Sequence, residues 1–143
     1  MYRLLQRLVL FVTLLLAVFS SSGQDKAVTF SVQQEGKGDE YILRIKATIK
    51  EGSKLYSIKP FGAEAPINTQ INFDSSARGF IKDNLLEAGS PKTELDASFN
   101  VNVAYFTDSV EWQQKLNLTG IDTALISGTI AYFVKTGEEY NNL

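Results

Sequence analysis

Tyr41-Ile42-Leu43-Arg44-Ile45-Lys46-Ala47-Thr48-Ile49-Lys50 is the stretch that decides the fold. Tyr41, Leu43, Ile45, Ala47 and Ile49 share one side of a period-two pattern; Arg44, Lys46, Thr48 and Lys50 share the other. A helix would scatter these charges around its circumference, whereas a strand half-buried against a core separates them cleanly. The same alternation occurs upstream at Val28, Phe30 and Val32. Downstream it occurs at Val110, Trp112, Leu116 and Leu118, where Gln114 is a polar intruder. Thr69, Ile71 and Phe73 predict a further strand, and Phe99, Val101, Val103 and Tyr105 another. Ala124 to Val134 is apolar on both faces, which predicts a central strand covered on both sides. Gly79 to Ser98 has no sustained period, and its polar part, Glu87 to Ser98, predicts a long loop. Turn residues punctuate the chain at Gly36 to Asp39, Glu51 to Ser53, Gly89 to Pro91 and Thr119-Gly120. Roughly six to eight short strands in this arrangement read as an all-β, immunoglobulin-like antiparallel β-sandwich.

The 143 residues include no cysteine and no histidine. Disulfides, thiolate nucleophiles, Cys/His zinc sites and histidine-based triads are thereby excluded. A formal charge of −2 leaves no basic footprint for nucleic acid. Met1 to Gly23 reads as a secretory signal peptide: Arg3 and Arg7 precede the apolar run Leu8 to Phe19, and Ser20 to Gly23 supply small residues before Gln24. The run, about 12 residues, is shorter than a bilayer-spanning helix requires. Loss of Arg3 and Arg7 takes the formal charge to about −4. Residues 24–143 are then one periplasmic or secreted domain with no membrane span of its own, held by its core alone.

The remaining catalytic vocabulary is carboxylates, serines, lysines and tyrosines. Glu138 and Glu139 are neighbours and point apart in extended chain, so they do not form a glycosidase pair. Ser53-Lys54 and Ser57-Ile58-Lys59 carry the residue types of a serine–lysine dyad, but nothing in the pattern desolvates the lysine. Asp39-Glu40 and Asp74-Ser75-Ser76 are too sparse for calcium. No catalytic residue, metal or cofactor is assigned on these grounds.

In their order along the chain, several segments resemble the N-terminal periplasmic domain of the thiol:disulfide interchange protein DsbD, in the form common in Bacteroidetes. The segments are Tyr41 to Lys50, Lys54-Leu55-Tyr56-Ser57, Ala65-Pro66-Ile67-Asn68-Thr69 leading to Phe73, and Asp96-Ala97-Ser98-Phe99. Tyr105-Phe106, Trp112 to Leu118 and Gly128-Thr129-Ile130-Ala131-Tyr132 complete the set. After the final tyrosine the family carries two redox cysteines separated by four residues; Lys135 and Tyr140 stand at that spacing here. The resemblance further implies that the family's usual closing strand, beyond these positions, is lost, because the chain stops at Leu143. The resemblance implies an exported sandwich that has lost thiol–disulfide exchange, which needs an attacking thiolate, and that acts by binding. Its partner would be an envelope protein of the thiol-redox system, and Tyr56, Pro66, Asp96, Phe99, Lys135 and Tyr140 would form the docking face. A small-ligand or new enzymatic site at the former redox pocket, or a truncated relic, are the alternatives.

Overall fold

The computed structural model describes residues 26–61, 68–121 and 123–142. The signal-peptide assignment, residues 1–23, and Pro66 lie outside them. The chain is all-β: β1 (Val28–Lys37), β2 (Glu40–Ile49), β3 (Ser53–Tyr56), β4 (Gln70–Phe73), β5 (Ile81–Ala88), β6 (Lys92–Asp96), β7 (Val101–Phe106), β8 (Ser109–Asn117), β9 (Gly128–Ala131), β10 (Phe133–Thr136) and β11 (Glu139–Asn142). Eleven short strands thus replace the six to eight expected. No helix among the described residues is long and apolar enough to cross a membrane.

The sheets are antiparallel and pack on one another as a sandwich. A four-stranded sheet has the order β1-β2-β8-β5, a five-stranded sheet β11-β10-β3-β7-β6, and β4-β9 form a ribbon. The alternation read from Tyr41 to Ile49 is realised in β2: Ile45, Ala47 and Ile49 are buried, and Lys46 and Thr48 face outward. They meet Leu55, Phe106 and Val134 of the opposite sheet around Trp112, which is wholly buried. A second, smaller core of Tyr56, Phe61, Val103 and Tyr105 lies on the far face of the five-stranded sheet, with Phe133 and Tyr140 packed against it. Leu55 and Tyr56, like Phe133 and Val134, are consecutive and therefore serve opposite faces.

Three sequence expectations need correction. Glu87 to Ser98 is not a long loop: it holds the end of β5, a turn and β6. Both are edge strands, and β5 carries a bulge between Lys82 and Leu86, so neither displays a clean period. Ala124 to Val134 is not a central strand. Residues 123–127 form no strand, and β9 and β10 part at Tyr132, β9 pairing with β4 alone and β10 with β3 and β11. Its two-sided apolarity arises because Tyr132 packs on Phe30 while Phe133 and Val134 enter the two different cores. Phe99, expected in phase with Val101, instead lies in the turn that precedes β7.

Gln114 also finds its reason. Its side-chain amide donates to the carbonyls of Lys82 and Asp83 at 3.0 and 3.3 Å, satisfying backbone that the bulge frees from the ladder. Asp83, with φ of 64°, sits in the left-handed region there. A polar residue at a core position is thus the partner of an irregular edge.

Candidate functional site

β10 and β11 form a hairpin in which Thr136 faces Glu139 across a two-residue turn. Gly137, with φ of 60°, opens that turn, as tight hairpin turns require of their first central residue. The register makes Lys135 and Tyr140 directly opposed partners, and Lys135 faces Lys54 of β3 on its other side. Opposed residues point to the same face, here the outer face of the five-stranded sheet with Tyr56.

On that face the two edge strands of the sheet are joined by side chains. Tyr140 of β11 places its hydroxyl 2.8 and 3.0 Å from the carboxylate oxygens of Asp96 on β6. Edge strands separated by three others meet only if the sheet curls around its second core. Asp96 Oδ2 also accepts from the Tyr56 hydroxyl at 3.1 Å, and Oδ1 from the backbone N–H of Ser98 at 3.0 Å. The latter bond closes an Asx-type turn over residues 96–98 and orients Phe99. The Phe99 ring then meets Tyr140 edge-on at 5.8 Å, and Lys135 Nζ lies 4.9 Å from the centre of the same tyrosine ring. Five of the six residues named from the sequence, Tyr56, Asp96, Phe99, Lys135 and Tyr140, are gathered here; the sixth, Pro66, lies outside the described residues.

Burial pushes the Asp96 carboxyl up, but hydrogen bonds from Tyr140, the Ser98 backbone, Tyr56 and the Phe99 backbone outweigh it, so its pKa is lowered. Burial, reinforced by the Asp96 charge, raises the Tyr56 phenol. Lys135 is raised by its proximity to Tyr140, against the opposing effect of burial, and further by Glu138 and Asp96. The cluster is therefore a carboxylate bonded by two tyrosine hydroxyls, with the Lys135 ammonium beside it. None of these shifts moves a group toward a neutral amine or a phenolate nucleophile. Only the rim is open: Phe99 is 38% exposed, whereas Tyr56 and Asp96 are 0% and 2%.

The other candidates separate. Ser53 Oγ bonds Thr136 Oγ1 at 2.9 Å on the inner face, while Lys54 Nζ pairs with Glu94 at 2.6 Å on the outer, so no dyad forms. Ser57 donates to Glu87, not to a lysine. Two clefts lie elsewhere. One of about 570 Å³ opens beside the bulge, where Arg44 pairs with Glu35, Lys82 with Glu40 and Lys115 with Asp83. One of about 280 Å³ lies at the mouth of the sandwich between Val32, Leu43 and Ile45 and the β4-β9 ribbon. The sequence reading missed Glu87, which accepts from Ser57, the Ile58 backbone and Trp112 Nε1. A lone glutamate at the start of an expected loop carries no signal of such a role.

No family model matches the chain, and no curated protein or solved structure is found similar to it. The hairpin register nevertheless permits a direct test of the geometry at 135 and 140. Opposed residues of an antiparallel pair have Cα atoms about 4.5 to 5.5 Å apart, inside the range a disulfide spans. Lys135→Cys/Tyr140→Cys, in a chain with no other cysteine, should close an intramolecular disulfide in a glutathione redox buffer, seen as loss of both titratable thiols. Persistence of two free thiols in the folded variant would contradict the register.

Proposed function

We propose that this chain is an exported, redox-inactive binding domain of the kind found at the N-terminus of DsbD, an immunoglobulin-like sandwich whose former redox face serves as a docking surface. The observation that carries the reading is the convergence of Lys135 and Tyr140, directly opposed on one hairpin, with Tyr56, Asp96 and Phe99. These positions are scattered over 85 residues of sequence, and they are the ones that the resemblance implies for a docking face. Chemistry favours binding over catalysis at this face, because the polar groups satisfy one another and the lysine is held as a cation. An exposed phenylalanine edge beside a tyrosine and an ammonium is the type of surface that anchors a protein partner.

The test is affinity capture from envelope extract by the purified protein, with Lys135→Ala/Tyr140→Ala as the control. The expected result is enrichment of a thioredoxin-like or electron-conducting membrane protein that the double variant loses. Equal retention by both forms, or retention of nothing specific, would overturn the docking assignment.

A further inference from the structure

The remaining edge of the four-stranded sheet presents a different surface, on the other sheet from the Lys135–Tyr140 cluster. β1 is ten residues long, pairs with β2 in unbroken register, and among the described residues has no strand on its other side. Other edges are blunted in ways that discourage association. β5 is bulged and bears Lys82 and Asp83, β6 is five residues long and follows Pro91, and β11 has four residues. β1 has neither bulge nor proline, and its mid-point, Val32, is 61% exposed at the lip of the apolar cleft.

The backbone groups on that edge can be identified. The Ile49 N–H donates to Asp108 O, away from β1, whereas the Lys50 N–H donates to Ala27 O, toward it. Even-numbered residues of β2 therefore address β1, and through the register they meet Thr29, Ser31, Gln33 and Glu35. Val28, Phe30, Val32, Gln34 and Gly36 accordingly turn their N–H and C=O groups outward. Val28, Phe30 and Val32 also share the core-facing side of the strand, so an added strand must be extended and apolar at alternate positions.

We propose that a second copy of this chain occupies the edge, β1 pairing antiparallel with β1 about a two-fold axis at Val32. Only a register centred on a residue keeps inward side chains opposite inward side chains; those centred on Val32 and Gln33 overlap equally, residues 28 to 36 and 29 to 37 of each copy, and only the first sets the two exposed valines against each other. Centring on Phe30 overlaps only 28 to 32, and on Gln34 only 31 to 37. In the favoured register Val32 meets Val32, Phe30 meets Gln34, Val28 meets Gly36 and Glu35 meets Thr29, so no like charges are opposed. The closed two-fold contact covers both exposed valines and joins the two four-stranded sheets into one of eight strands. The former redox face, on the opposite sheet, stays free in the dimer.

Sedimentation equilibrium of the purified protein should show a monomer–dimer equilibrium. Val32→Pro removes an N–H that the β1–β2 ladder does not use, so the fold persists while association weakens on the order of 100-fold. Val32→Lys, which opposes two ammonium groups at the axis, should do the same without touching the backbone. Val32→Cys should cross-link into a disulfide dimer under mild oxidation. Thr29→Cys should not, because its two copies lie about 20 Å apart in this register. A wild-type monomer at all concentrations, or dimerisation unchanged by Val32→Lys, would overturn the proposal. So would a monomer that instead binds an extended peptide unrelated to β1 and apolar at alternate positions, which would assign the edge to a foreign strand.

Discussion

Glu87→Ala lowers stability by about 3 to 5 kcal/mol, a melting-temperature drop of about 15 °C. Glu87 lies on β5 in the four-stranded sheet, and two of its three donors, Ser57 Oγ and Ile58 N, belong to the segment that follows β3 in the other sheet. The third is the indole N–H of Trp112, at 3.0 Å, whose ring is the largest wholly buried side chain. Truncation leaves all three donors without an acceptor, two of them on the wholly buried Ser57 and Trp112, and it unties a carboxylate that bonds both layers. Glu87→Gln retains an acceptor for the indole and should cost about half as much. Thermal unfolding followed by the fluorescence of Trp112, the single tryptophan, measures both. A Glu87→Ala protein melting within a couple of degrees of wild type would show that the link between sheets is dispensable.

Asp96→Ala is the second large effect, about 3 kcal/mol, because it strands the Tyr56 hydroxyl in the second core and releases Tyr140 and the 96–98 turn. Asp96→Asn gives the cleaner pH experiment. The folded-state pKa of Asp96 is lowered, so its contribution is present above the unfolded value, about 3.9, and disappears as pH falls through the folded one. The stability gap between wild type and Asp96→Asn should therefore be constant from neutral pH down to about 5 and narrow below about 4. Denaturant unfolding at a series of pH values reads it directly. A gap that widens on acidification would mean that Asp96 is protonated in the fold, contrary to the hydrogen-bond geometry.

The candidate site was legible in the sequence only through resemblance. Composition and period give Tyr56 and Tyr140 no distinct role, and leave Asp96 within an expected loop. Their meeting depends on the curl of a five-stranded sheet that brings its two edges together, a property of packing and not of any local window. Phe99 shows the opposite failure: its position two before Val101 fits the strand period, yet Asp96 captures the Ser98 N–H and turns the chain before β7 begins. Gln114 and Glu87 were anomalies or blanks in the pattern, since a buried polar side chain is explained only by partners distant in sequence.

By itself the sequence determined that the chain is built from antiparallel strands, that β2 and β8 each bury one face, and that no thiol or imidazole chemistry is available. Alternation with period two is enforced residue by residue by the pleat, so it survives in any single stretch where one face is buried and the other is wet. Only the tertiary structure decided which strands are edges, how Ala124 to Val134 divides between a ribbon and a sheet, and which carboxylates are interior. Those depend on which surfaces face one another once the sheets twist and close. The energy of a carboxylate such as the buried Asp96 or the half-buried Glu87 is set by donors that arrive from other segments, and local sequence does not encode them.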